Sequence, residues 1–398
     1  MADLEKVGEG DRAPAKPQSA LREVTSLFLR LGFTAFGGPA AHIAMMEDEA
    51  VRRRNWLSRD QFLDLLGVTS LIPGPSSTEL AILLGYRRAG WRGLMIGGLC
   101  FILPAALIVA VIAWAYVAFG KLSQVVGILD GVKPVIIAIL VQALWRMGKT
   151  AIKGRWLCLI TLAAVIANFV GASPLAVLGG CGLAAIAPEM IRRARSSGAV
   201  TAAISAIPPT AKAGAAGTVP LKLSTLFLVF LKIGAVLFGS GYVLLAFLRG
   251  DLVTRLHWLN EGQVLDAVAV GQVTPGPVFT TATFIGYVLG GWRGAAVATI
   301  GIFLPSFIFV ALSGRLIPHI RRAPIAGAFL DGVIAGSLAL MAVVTISLSQ
   351  AALIDWPSVA LAIISAVALI GFQLNSVWMV ALGAVAGVIR SLPFTLNY

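Results

Sequence analysis

The sequence predicts an all-α, polytopic membrane protein of two repeated halves. Each half opens with two broken or re-entrant helical segments and continues with transmembrane helices. Three observations carry this. Of 398 residues, 58% are hydrophobic and only 12% charged, about half the ~25% of an ordinary globular chain. Apolar runs exceed the ~20 residues that a bilayer crossing needs, and Gly93 to Phe119 holds no charge at all. Finally, a series of short words recurs in the same order in both halves.

The recurrence fixes the organisation. "FLRLGFTAFGG" at Phe28 matches "FLKIGAVLFGS" at Phe230, and "WLSRDQFLDLL" at Trp56 matches "WLNEGQVLDAV" at Trp258. Pro73-Gly74-Pro75 then meets Pro275-Gly276-Pro277, "GWRG" at Gly90 meets "GWRG" at Gly291, and "LDGV" at Leu129 meets Leu330. So many ordered matches mark a duplicated unit. Residues 1–20 are polar, lack the apolar core of a cleavable signal, and are expected to be a disordered tail. Residues 21–188 form the first repeat, 189–220 an Ala-, Ser-, Pro- and Arg-containing linker, and 221–398 the second repeat.

Within each repeat the later apolar segments are continuous: Leu94–Phe119, Val132–Met147, Leu157–Val170 and Leu175–Ala187, then Ala295–Leu312, Gly327–Ser347, Val359–Phe372 and Val377–Ile389. The first two segments are interrupted, Val24–Met46 by FGGP and Gln61–Gly85 by PGP. Their partners carry FGSG and the second PGP. An internal proline removes a helix hydrogen bond at about 3 kcal/mol or more. In lipid, non-helical backbone survives only inside protein or beside a wet cavity. Each break therefore predicts a new helix N-terminus at depth, with unpaired N–H groups and partial positive charge, which suits an anion. Corresponding broken helices in two repeats point to a transporter's binding site. Ser76-Ser77-Thr78-Glu79 reads as a capping box, Thr280 and Thr281 offer hydroxyls after the second break, and Pro39 suits a first helical turn. The competing reading is a kink or close packing, for which membrane helices also use Gly and Pro.

Arg30 and Lys232 occupy matching places in apolar runs. Intramembrane charge is costly and usually functional, so both are candidates for attracting or coordinating an anion; the alternative is snorkelling to the interface. Glu79 has a capping role or a proton-coupling role. Asp64 and Asp266 match between halves, and Asp130 and Asp331 are expected as N-caps. Basic residues exceed acidic ones by 31 to 18, as cytoplasmic loops of membrane proteins require. They form no aromatic-interleaved patch, which speaks against nucleic acid. Cys100, Cys158 and Cys181 read as small buried hydrophobes, and His42, His257 and His319 have no ligand spacing, so no metal or cofactor is expected. Arg52, Arg53, Arg54, Arg59, Arg87, Arg88 and Arg92 flank both broken segments of the first half. Re-entrant hairpins would place them all on the cytoplasmic face. The matching loops of the second half carry fewer, Arg249, Arg255 and Arg293, which favours an inverted second copy. Four full spans per half would give a parallel repeat, so inversion needs one segment to depart from that count.

With their Phe-Gly-Gly or Phe-Gly-Ser turn, PGP break and "GY…GWRG", the twin halves resemble the chromate ion transporter family from about Leu27 onward. The resemblance implies a bacterial inner-membrane secondary carrier that exports chromate and is not an enzyme. Carried over, the family's motifs fall on Phe36, Gly37, Gly38 and Pro39, on Pro73, Gly74 and Pro75, on Phe238, Gly239, Ser240 and Gly241, and on Pro275, Gly276 and Pro277; with Arg30, Lys232, Ser76, Ser77 and Thr280 from the physical reading these, Phe238 aside, are the candidate substrate-binding residues. The second turn, FGSG from Phe238, departs from FGGP. Physical reasoning alone stops at a small-oxyanion carrier, so chromate and sulfate both remain partners, beside the lipid bilayer and an open homodimer alternative. An inward sulfate carrier is the runner-up; a polytopic enzyme would need clustered His, Asp or Glu at one membrane face.

Overall fold

The computed structural model describes residues 17–120, 122–197, 220–237, 243–320 and 324–391. Among them every regular element is helical. The first half runs α1 (Pro17–Thr34), α2 (Gly38–Glu47), a π turn (Asp48–Arg53), α3 (Arg59–Thr69), α4 (Ser76–Phe119), α5 (Ser123–Ala151), α6 (Arg155–Phe169) and α7 (Pro174–Ser197). The second repeats it with α8 (Leu223–Val236), α9 (Leu244–Leu248), a π turn (Arg249–Arg255), α10 (Glu261–Val273), a 3-10 turn (Val278–Thr280), α11 (Thr281–Ile320), α12 (Pro324–Ala352), α13 (Trp356–Ile370) and α14 (Ser376–Ser391). Helix α1 thus begins inside the stretch read as a tail, and α7 runs to Ser197, past the expected linker boundary.

Local chemistry repeats with the fold. Helix α3 opens on a capping box in which the Gln61 amide donates to Ser58 Oγ at 3.2 Å and the Ser58 amide to Gln61 Oε1 at 2.9 Å. Helix α10 does the same with Asn260 and Gln263, at 2.8 and 3.0 Å. Each arrangement satisfies two orphan donors of the first turn.

Helices α4 and α11 are each two arms. Backbone angles leave the helical region at Ala89 and Gly90, and at Gly290 and Gly291, with φ of +60° at Gly90 and +58° at Gly291. The short arm folds back on the long one so tightly that a β-carbon on Gly85 would lie 2.2 Å from the Gly93 carbonyl oxygen, and one on Gly286 2.4 Å from that of Gly294. The GY…GWRG word is therefore a hairpin: two glycines at the crossing, one in the bend, and a Tyr–Trp ring contact across it. Those rings lie 5.5 Å apart for Tyr86–Trp91 and 5.1 Å for Tyr287–Trp292.

Among the described residues four helices are long and apolar enough to cross a membrane: α4, α5, α11 and α12. Along α11 the exposed residues Ile300, Leu304, Ile308 and Leu312 recur every fourth position. That is one helical face, here turned to lipid. Helices α6, α8, α13 and α14 are apolar but shorter than the ~20 residues of a full span.

The two halves exchange partners. Helix α5 packs against α13 and α14, while α12 packs against α6 and α7. Glycines let the backbones meet: a β-carbon on Gly131 would lie 2.1 Å from the Gly383 carbonyl oxygen, and one on Gly332 2.3 Å from that of Cys181. Lys153, just beyond the end of α5, binds Asp331 near the start of α12 at 2.8 Å. The equivalent long helices therefore run antiparallel, as inversion requires. Asp130 and Asp331 lie within helices rather than capping them, because α5 begins at Ser123 and α12 at Pro324, each seven residues before its aspartate. Asp130 instead takes Lys133 at 3.0 Å.

Candidate functional site

The breaks of the two halves meet. The Gly74 amide donates to the Leu237 carbonyl at 2.7 Å, and the Gly276 amide to the Ala35 carbonyl at 2.8 Å. These are the same contact twice, since Gly276 and Leu237 are the repeat equivalents of Gly74 and Ala35. Each Pro-Gly-Pro is thus tied to the interrupted first segment of the other half. Both glycines have left-handed backbone, φ +138° at Gly74 and +83° at Gly276, which side chains resist. A β-carbon on Gly276 would lie 2.5 Å from Ala105 Cβ, and one on Gly74 2.6 Å from Ser306 Oγ. Ala105 and Ser306 are the central residues of the long arms Trp91–Phe119 and Trp292–Ile320. The breaks therefore sit at mid-length of the crossing helices.

Pro75 is the N-cap of α4 and makes no side-chain capping bond. The expected capping box does not form, because Ser76 is already the first helical residue and Glu79 falls one position too far along to reach back. Thr280 and Thr281 do not cap either; their hydroxyls donate to the Pro277 and Val278 carbonyls, each at 2.8 Å. The amides of Ser76 and Ser77, like those of Val278 and Phe279, have no acceptor among the described residues. Each break thus presents two free donors at a helix N-terminus.

Around the first break the side chains are polar. Thr78, Glu79 and Ser306 are fully buried, and among the described residues Thr78 Oγ1, both carboxyl oxygens of Glu79, and Ser306 Oγ have no hydrogen-bond partner. Such atoms are rare in finished interiors and call for an explanation. His42, 1% exposed, lies between Ala35 and α4, with Nε2 3.0 Å from the Ala35 carbonyl oxygen and Nδ1 3.5 Å from Ser77 Oγ. Around the second break the repeat puts Leu244 for His42, Phe279 for Ser77, Thr281 for Glu79 and Ala105 for Ser306.

Of the sequence candidates, Pro73, Gly74, Pro75, Ser76 and Ser77 gather at the first break, and Pro275, Gly276, Pro277 and Thr280 at the second. Phe36 and Gly37 are exposed at the turn before α2, Gly38 is buried, and Pro39 sits in the first turn of α2. Gly239, Ser240 and Gly241, with Phe238, lie outside the described residues. Arg30 is ion-paired to Glu49 and Lys232 to Asp251, again equivalent pairs, each reaching the π turn of its own half. Burial pushes the Glu49 carboxyl up, but hydrogen bonds from Arg30 and Arg54 outweigh it and hold the group below the usual range. Asp266, matched to Asp64 in sequence, is 4% exposed; it accepts from the Tyr116 hydroxyl at 2.9 Å and lies 3.8 Å from Lys133. Cys181 is buried but Cys158 is exposed, against expectation, because α6 turns that face outward. His42, Thr78 and Ser306 were missed. Their signal was the comparison of halves, in which His42, Ser77 and Glu79 at the first break are answered by Leu244, Phe279 and Thr281 at the second.

The chromate transporter family profile matches residues 22–186 and again residues 224–388. A chromate transport protein of Cupriavidus metallidurans is 34% identical over 379 residues, 92% of each chain. A probable chromate transport protein of Synechococcus elongatus is 31% identical over 94% of this chain and 96% of its own. A chromate transport protein of Pseudomonas aeruginosa is 33% identical over 84% of this chain and 82% of its own. No solved structure matches.

Proposed function

The chain belongs to the chromate transporter family, and we propose that it exports chromate across the bacterial inner membrane, holding the anion at the half-helix N-termini of the central breaks. It is a multi-pass membrane protein and a transporter rather than an enzyme. The observation that carries the proposal is the reciprocal pair Gly74–Leu237 and Gly276–Ala35, which gathers interrupted helices at the centre of the crossing arms. Two free amides per break supply donors and dipole where a dianion would otherwise be unsatisfied. Arg30 and Lys232 belong to the same proposal, as cations that draw the anion toward the breaks from the π-turn side. Inversion supplies the two equivalent arrangements that alternating access needs.

The test is growth and accumulation in a chromate-sensitive bacterium with and without the chain. Lower cellular chromate on expression is the expected result. Unchanged chromate with raised sulfate uptake would turn the assignment to an inward sulfate carrier.

A further inference from the structure

We propose that the chain has one oxyanion site, at the first break only, and that Glu79 selects the anion there by sharing a proton with it. The proposal rests on the transport reading above and adds what decides between anions of equal size and charge.

The two breaks share a backbone but not a chemistry. At the first, Ser76 and Ser77, whose amides have no acceptor among the described residues, open the helix that carries the unpartnered Thr78 and Glu79, and the unpartnered Ser306 comes from α11. Glu79 Oε1 and Ser306 Oγ lie 2.3 and 2.6 Å from the point a β-carbon on Gly74 would take, so both side chains converge on the break from opposite halves. At the second break the matching positions hold Thr281 and Ala105, and both threonine hydroxyls already donate to carbonyls. Both breaks keep free backbone amides, but among the described residues the first gathers three unpartnered side chains, Thr78, Glu79 and Ser306, where the second has Gln272, four residues before Gly276, with an unpartnered amide nitrogen and no carboxyl group.

Two amides and two hydroxyls suit any tetrahedral oxyanion. A carboxylate does not: as an ion it can only accept, and it repels a dianion. Among the described residues no Lys, Arg or His side chain bonds to Glu79. The nearby titratable groups are committed elsewhere, His42 on α2 to Ala35 and Ser77, and Arg30 on α1 to Glu49. From α11 the facing group is Ser306. A proton taken from the aqueous face must therefore lie between a Glu79 oxygen and an anion oxygen when the site is filled, and it leaves when the anion leaves. No other bond forms or breaks. Such a shared proton favours the more basic anion. Chromate takes up a proton near neutral pH; sulfate and selenate do so only in strong acid. Selenate matches chromate in size and charge, so it separates basicity from shape.

The experiment is titration of the purified, full-length chain with chromate, selenate and sulfate, paired with competition for labelled chromate in proteoliposomes. Wild type should bind selenate and sulfate at least tenfold more weakly than chromate. Glu79→Gln, which keeps shape but cannot share the proton, should bring selenate within about twofold of chromate. Equal binding of selenate and chromate by wild type overturns the proposal, and so does a tenfold preference surviving in Glu79→Gln. Should that variant not fold, the wild-type anion series decides alone. Binding without transport would remove the transport reading and leave the selectivity result standing; no binding of any anion overturns both.

Discussion

The amide of Gly74 reaches across the repeat boundary to the carbonyl of Leu237 at 2.7 Å, joining a break in one half to the interrupted segment of the other. Its φ of +138° and the closeness of Glu79 and Ser306 leave no room for a β-carbon. Gly74→Ala should therefore strain the backbone by roughly 1–3 kcal/mol and abolish chromate efflux. Gly180, in α7 with nothing within 4 Å of a built β-carbon, is the control. Gly180→Ala should leave efflux intact and stabilise by about 0.5–1 kcal/mol through helix propensity. Efflux assays and thermal melts of both variants check this, and normal transport by Gly74→Ala would remove the break from the pathway.

His42 braces the reciprocal junction, Gly276 to Ala35, from α2. The repeat offers a natural replacement, because the equivalent residue is Leu244. His42→Leu keeps an apolar fit but loses the hydrogen bond to the Ala35 carbonyl, which retains the Gly276 amide. A loss of about 1 kcal/mol is expected for one of two donors, with efflux reduced at least tenfold because Ser77 loses its neighbour. Folded yield by size exclusion separates the two effects. Unchanged efflux would make His42 a packing residue.

How much of this was legible in the sequence depends on the kind of signal. The breaks and the duplication were readable because Pro and Gly act on the backbone wherever they stand, while the bend at Gly90 was not, since GWRG stood out only as a repeated word. The partner exchange of α5 with α14 was not, since nothing local to Gly131 names Gly383 as its neighbour. Glu79 was visible but misassigned: S-x-x-E matches a capping box, and only the N-cap position of Pro75 shows that the register is wrong. Arg30 and Lys232 stood out as charges in apolar runs, while nothing in the sequence singled out their partners Glu49 and Asp251.

The ion pairs make a separable prediction. Glu49 has Arg30, Arg53 at 3.5 Å and Arg54 at 3.2 Å, whereas Asp251 has Lys232 and Arg255 at 3.0 Å. Removing one cation therefore exposes Asp251 more than Glu49. Lys232→Ala should lower folded yield further than Arg30→Ala, by roughly 1–3 kcal/mol, less than for a fully buried pair. Combining Lys232→Met with Asp251→Asn should restore the yield but leave efflux at least tenfold down, since the cation is still missing. Full efflux in that double variant would assign the pair to structure alone.

Asp355 caps α13, accepting the Ser358 amide at 3.0 Å, and pairs with Arg390 near the end of α14. That pairing holds its carboxyl down to about 2. A depressed carboxylate gives its stability above the unfolded value and loses it as pH falls toward the folded one. Asp355→Asn should therefore lower Tm by a constant, small amount from about pH 5 upward, and the gap should close between about pH 4 and pH 2. The group is exposed, so added salt should also shrink the gap. A difference that persists at the acid end would mean that the cap, not the charge, was lost.

Inversion itself can be tested on the equivalent helices α5 and α12. Lys153 lies just past the end of α5 and Asp331 near the start of α12, 2.8 Å apart. A parallel repeat would instead set Asp130 and Asp331, the matching residues of the two copies, at the same end. With Cys100, Cys158 and Cys181 replaced, Lys153→Cys with Asp331→Cys should be bridged by a short bifunctional thiol reagent. Asp130→Cys with Asp331→Cys should not, because Asp130 lies 21 residues before the end of α5 at Ala151, a rise of about 32 Å at 1.5 Å per residue. The reverse pattern would show that the copies run side by side in one direction, and the facing of one break toward the other half would then need a different origin.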